Sequence, residues 1–185
     1  MTDREDAHRS QTKAATDMYQ TKNDLPAQTR ADVIGIRNAR LADSIDRMHQ
    51  ATQAHGNIKG PRFIALHQLF DAVVDAAEDS MDLLAERAVQ LGGTAEGTIQ
   101  VATTRTGLKA YPLTLMEERD HVEALSSALA AYSTSVRQGI EQADTRGDKD
   151  TADIFTEISR GVDKYLWLVE AHLGSSARQE TSACP

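Results

Sequence analysis

Four long stretches of the chain repeat their apolar residues with a helical period, and no segment alternates as a strand between turn signals would. The first runs from about residue 27 to 55 and carries Val33, Ile34, Leu41, Ile45 and Met48, with Pro26 near its start, where proline is tolerated. The second runs from Pro61, a residue suited to a first turn, to Leu91, and Gly92-Gly93 supply the stop expected past a helix end. The third, from about Leu113 to Ala143, carries Leu115, Val122, Leu125, Leu129, Val136 and Ile140. The fourth, from about Asp150 to Leu173, carries Ile154, Phe155, Ile158, Val162, Leu166 and Val169. Such faces are buried only against one another, so the chain reads as an all-α four-helix bundle. Residues 94–112 form the longest connection, with Gly97, Gly107 and Pro112 and a stretch, TTRTGLKAY, that suits a short helix. A long link between the second and third helices fits a bundle with one crossover.

At 185 residues and 40% hydrophobic content the chain suits one domain with a core of its own. Residues 1–25 are polar and lack periodicity, and 174–185 read the same way, so a mobile arm and a flexible tail are expected around a bundle at 26–173. The only cysteine, Cys184, has no partner within the chain, and no apolar run approaches membrane-spanning length or a secretory segment. A soluble cytoplasmic protein is the expectation. A net charge of −8 disfavours phosphate backbones overall, so nucleic acid would need a basic arm. The arm sets Arg4, Arg9, Lys13 and Lys22 against Asp3, Glu5, Asp6, Asp17 and Asp24, and the tail sets Arg178 against Glu180. Weak or absent DNA binding at neutral pH follows.

The chemistry-bearing residues lie on the second helix. His67 and Asp71 are four apart, as are Asp82 and Glu86, and at about 100° per residue all four share an arc of roughly 100°. Asp71 and Asp82 are nevertheless separated by roughly 16 Å along the axis, against ligand bonds on the order of 2 Å. If these residues bind metal, one helix cannot bring both pairs to one ion. Two copies packed antiparallel about a two-fold axis can, and they would create two identical shared sites. His55, at the end of the first helix, lies near His67 in an antiparallel hairpin. Mixed imidazole and carboxylate donors suit iron, zinc or manganese.

The stretch AHGNIKGPRFIALHQLFDAVVDAAEDSMDLLAERAVQLGGTAEGT resembles the signature of the Dps family: an AHWN-x-[KR]-G turn, F-I-x-x-H, an aspartate four residues on, and D-x-x-x-E before R-x-x-x-LGG. The similarity continues through TTRTGLKAYP and DTADIFTEISRGVDKYLWLVEAHL, covering most of residues 20–173. The resemblance implies a ferritin-like bundle that assembles into a hollow dodecamer. It implies a ferroxidase site shared across a two-fold interface, with His55, His67 and Asp71 from one chain and Asp82 and Glu86 from its partner. The implied activity is oxidation of Fe2+ by hydrogen peroxide, or more slowly by dioxygen, with ferric mineral stored inside. In the family the joint between the last two helices surrounds a three-fold pore, so Asp144, Asp148, Asp150 and Asp153 become candidates for iron access, with Asp150 or Thr151 as the ordinary helix cap. Trp167 becomes a candidate redox aromatic. Gly56 departs from the family, which usually has tryptophan there. Nucleoid association that protects DNA by physical contact is the second reading.

Overall fold

The computed structural model describes residues 18–174. Five helices and no strands occur among them: α1 Ala27–Asn57, α2 Phe63–Gln90, α3 Ile99–Arg105, α4 Glu118–Thr145 and α5 Lys149–Glu170. α1 and α2 form one hairpin and α4 and α5 the other. α1 packs on α4, and α2 on α5. Ser44 meets Tyr132 and Arg40 meets the carbonyl of Ser135, so α1 and α4 run antiparallel. α2 and α4 are therefore parallel, which is why the chain needs a crossover long enough to return to the starting end. That crossover carries the short helix α3 and is pinned to α1 by two acids. Asp46 accepts from the Thr106 hydroxyl at 2.7 Å, and buried Asp43 accepts from the Gly107 N–H at 2.7 Å.

The core gathers Leu41, Ile45, Leu66, Phe70, Leu84, Val122, Leu125, Leu129, Phe155 and Val162, all buried. These are largely the periodic residues of the four stretches, so the architecture follows from burying one face per helix. The joints differ from expectation in detail. Pro61 lies in the turn, not the first helical turn, because α2 begins at Phe63. α4 begins at Glu118, not Leu113; its first turn is acidic, which suits the positive end of the helix dipole, and Leu113 and Met116 stay exposed. The crossover helix sits at Ile99–Arg105, ahead of most of the segment expected to hold it. Gly92, with φ +88°, ends α2 as a glycine stop.

Residues 18–25, counted with the arm, are instead seated on the bundle. The Tyr19 N–H donates to the Gly92 carbonyl at 2.7 Å, and Met18 and Leu25 pack against Val33, Ile34 and Leu91. The proposed arm proper, 1–17, and the tail from 175 lie outside the described residues.

Asp148, not Asp150 or Thr151, caps α5. Its carboxylate accepts from the Thr151 N–H at 3.0 Å and the Thr151 hydroxyl at 2.6 Å, and pairs with Arg87 of α2 at 2.8 Å while fully buried. Burial pushes its carboxyl upward, but the bonds from Thr151 and Arg87 outweigh that and hold it below the ordinary aspartate range. A depressed folded pKa makes this contribution complete above about pH 4 and lost as pH falls through the folded value. Asp148→Ala removes the cap and leaves Arg87 only the longer approaches to exposed Asp150 at 3.5 Å and the Thr151 hydroxyl at 3.3 Å, so denaturant melts at neutral pH should show a loss of about 3 kcal/mol. The deficit should shrink in acid; wild-type stability at neutral pH would refute the pair's role.

Candidate metal centre

The turn between α1 and α2 brings His55, His67 and Asp71 together. The two imidazoles stack with ring centroids 3.7 Å apart. Each ring bonds the other's backbone: His55 Nδ1 to the His67 carbonyl and His67 Nδ1 to the His55 carbonyl, both at 3.0 Å. The His55 carbonyl is available because a last-turn oxygen has no helical N–H to accept from. A carbonyl only accepts, so each Nδ1 must carry a proton, and in the neutral ring each Nε2 keeps its lone pair. This is the arrangement by which backbone oxygens fix the tautomer of metal-binding histidines. Asp71 Oδ1 lies 3.4 Å from His55 Nδ1, with its side chain mostly exposed. Phe63 tilts against His67 at 5.0 Å between ring centroids and covers one side of it.

Asp82 and Glu86 stay apart from this group, three turns further along α2 and exposed. Among the described residues of the single chain, no cluster of three or more His, Cys, Asp or Glu is arranged to hold a metal ion. The outward face of α2 reads Ile64, His67, Asp71, Asp82, Glu86 and Val89, with Ile64 61% and Val89 56% exposed. The opposite face is buried through Leu66, Phe70, Val73, Ala77 and Leu84.

Two groups missed in the sequence position this face. Arg37, fully buried on α1, donates Nε to the Leu84 carbonyl at 3.1 Å and Nη2 to the carbonyls of Leu83 and Leu84, gripping the turn that carries Asp82 and Glu86. Burial, reinforced by Arg87 nearby and partly offset by Asp148, lowers the Arg37 pKa to about 9. Arg62 holds Glu118 by its N–H at 2.9 Å and Nε at 2.5 Å, closing the end of the bundle where the histidines sit. The signal for Arg37 was its phase: it falls three and four residues after Ile34 and Val33, on the buried face.

At the joint of α4 and α5, Asp144, Asp150 and Asp153 are exposed, while Asp148 is turned inward as the cap. Asp144 pairs with Lys149. Trp167 is 66% exposed on α5, so it is no core residue of the subunit. No helix among the described residues is long and apolar enough to cross a membrane.

The model of the ferritin-like domain matches residues 38–178. A DNA protection during starvation protein of Agrobacterium fabrum is 46% identical over 155 residues, covering 84% of this chain and 96% of the relative. DpsA14 from Streptomyces coelicolor superposes with a TM-score of 0.81 at 28% identity, covering 87% of this chain and 95% of that one. Dps from Microbacterium arborescens in its high iron form gives 0.75 at 30% identity, covering 83% and 97%. The fold and the match define a ferritin-like four-helix protein, and within that class the chain belongs to the Dps family. Membership implies iron storage and DNA protection as the class of function.

Gly56, where the family usually has tryptophan, is exposed in the last turn of α1, and a Cβ built there meets nothing within 4 Å. Gly56→Ala should therefore raise stability by up to about 1 kcal/mol through helix propensity. Gly56→Trp should fold without loss of stability. Thermal melts check both; a lower melting temperature for either variant would mean the space is closed in the assembly.

Proposed function

We propose that the protein oxidises Fe2+ at sites shared between two subunits and stores the ferric product within a closed dodecamer. The observation that carries this reading is the self-complementary exposed face of α2. Place two α2 helices antiparallel about an axis between Ala76 and Ala77. His67 then faces Glu86 of the partner subunit, and Asp71 faces the partner's Asp82. Ile64 faces the partner's Val89 about the same centre, so two exposed apolar residues meet in the register that assembles the ligands. The donors fit iron as substrate: two imidazoles with Nε2 lone pairs and three carboxylates, hard and borderline ligands without thiolate. Zinc or manganese fits the same set.

Asp82 and Glu86 supply charge that favours the ferric over the ferrous ion. His55, His67 and Asp71 complete the site, and Phe63 limits water beside His67. With hydrogen peroxide, two Fe2+ each give one electron, and two protons are taken up as two waters form. Dioxygen would be a slower oxidant. Asp144, Asp150 and Asp153 are exposed carboxylates at one joint and would attract cations toward the shell. Trp167, exposed on the subunit, is available as a donor of further electrons or as an interface residue.

Asp82→Ala with Glu86→Ala should abolish fast ferric formation in stopped-flow absorbance while light scattering still reports the full assembly. Wild-type kinetics in that variant would move oxidation elsewhere, for instance to the mineral surface. The DNA reading draws on the relatives' description and on the nucleoid as a site of action. The near-neutral tails oppose it, since affinity follows the number of lysines and arginines that reach phosphates. At neutral pH and about 0.15 M salt, where charges are screened beyond about 8 Å, duplex retardation in a gel should be slight. Tight retardation lost on deleting residues 1–20 would make DNA binding a main function.

A further inference from the structure

Arg47 is the least compensated charge in the bundle. It is 1% exposed on α1. Its guanidinium carbon lies 4.3 Å from the centre of the Tyr132 ring. Nη2 reaches Ser80 Oγ at 3.3 Å and the Ala76 carbonyl at 3.5 Å, both long, and Nε has no partner. Among the described residues no carboxylate pairs with it; the one ionisable group close enough to matter is Tyr132. That phenol bonds Ser44 at 2.8 Å, and burial pushes its pKa up, so it stays neutral and offers no counter-charge. A buried cation with an idle N–H is costly unless an anion reaches it.

The idle Nε is sealed from solvent, but Arg47 also lines an open cleft. The cleft, of about 180 Å³ between α2 and α5, is lined by Arg47, Ser80, Leu83 and Gly161, with Asp79 and Glu157 among its walls. It has room for several water molecules. Arg47 is buried at its floor, whereas Asp79 and Glu157 are exposed. Guanidinium forks match tetrahedral oxyanions, whereas the Ser80 hydroxyl already donates to the Ala76 carbonyl at 2.7 Å. The two acids would repel a bare anion, so the ligand that satisfies every wall is an anion accompanied by a cation.

We propose that this cleft binds an oxyanion of the phosphate class together with a divalent or trivalent metal ion, oxygen toward Arg47 and metal toward Asp79 and Glu157. The site is separate from His67, Asp71, Asp82 and Glu86, and it rests on the iron reading only for the identity of the metal. In a protein that stores ferric iron, it would seed a phosphate-containing mineral.

The test is equilibrium dialysis of the full-length assembled protein against inorganic phosphate, with and without Mn2+. Wild type should retain phosphate when Mn2+ is present. Arg47→Met, which keeps the volume and removes the charge, should weaken retention by at least about tenfold, the worth of one charge-assisted contact. Asp79→Asn with Glu157→Gln alters only exposed positions and should retain phosphate without Mn2+, because the repulsion is gone. Asp82→Ala with Glu86→Ala should retain phosphate like wild type even though oxidation fails, which separates this site from the oxidation site. Equal retention by wild type and Arg47→Met, a continued need for Mn2+ in the Asp79/Glu157 variant, or loss of retention in the Asp82/Glu86 variant would each overturn the proposal.

Discussion

Burial of one face of α2 sets everything that follows. Leu66, Phe70, Val73, Ala77 and Leu84 lock its rotation against the bundle, and Arg37 ties its backbone at Leu83 and Leu84 to α1. With the inner face fixed, the outer face has no freedom: Ile64, His67, Asp71, Asp82, Glu86 and Val89 must point away from the subunit's own core. Two half-sites on one rigid helix, roughly 16 Å apart, cannot close on each other. Function in this account therefore depends on a second copy, and the dimer is a chemical requirement before it is a step toward a shell.

The bundle tolerates an unusual load of buried charge for a protein whose core is mostly aliphatic and small. Arg37 is met by the carbonyls of Leu83 and Leu84 while its Nη1 has no partner, Arg87 is met by Asp148, and Arg47 chiefly by the face of Tyr132. The three solutions are not equivalent. Carbonyls and a carboxylate answer the guanidinium hydrogen bonds, whereas an aromatic face answers part of the charge and none of the N–H groups. Arg47 points to a ligand because its two hydrogen bonds are long and it lines an open cleft, whereas Arg37 holds two carbonyls and Arg87 a carboxylate.

Helix count, the crossover and the outward set on α2 were legible because each follows from a period: 3.6 residues for burial, and four or eleven for a shared face. His55 beside His67 followed from a short hairpin turn. The ends of helices were less legible, because they depend on which polar side chain wins a particular N–H. Asp148 won over Asp150 only because Arg87, sixty-one residues earlier, stands where a buried carboxylate is needed. The start of α4 at Glu118 depends likewise on Arg62 across the bundle. The phase of Arg37 and Arg47 marked them as inward-facing, but a sequence does not show that carbonyls or an aromatic ring await them. Residues 18–25 looked like part of an arm because an extended strap has no period; what seats it is the free carbonyl of Gly92 and the groove beside Leu91.

If each oxidation site is built from two chains, two inactive variants should restore one another. One variant carries His67→Ala with Asp71→Ala, the other Asp82→Ala with Glu86→Ala. Neither alone should oxidise Fe2+ quickly. Unfolded together and reassembled, mixed dimers contain one site with every ligand intact, contributed by one chain's His67 and Asp71 and the other chain's Asp82 and Glu86. Stopped-flow absorbance should then show fast ferric formation return in the mixture. A mixture as slow as its parents, with co-assembly verified by native mass, would contradict a site shared across the two-fold axis.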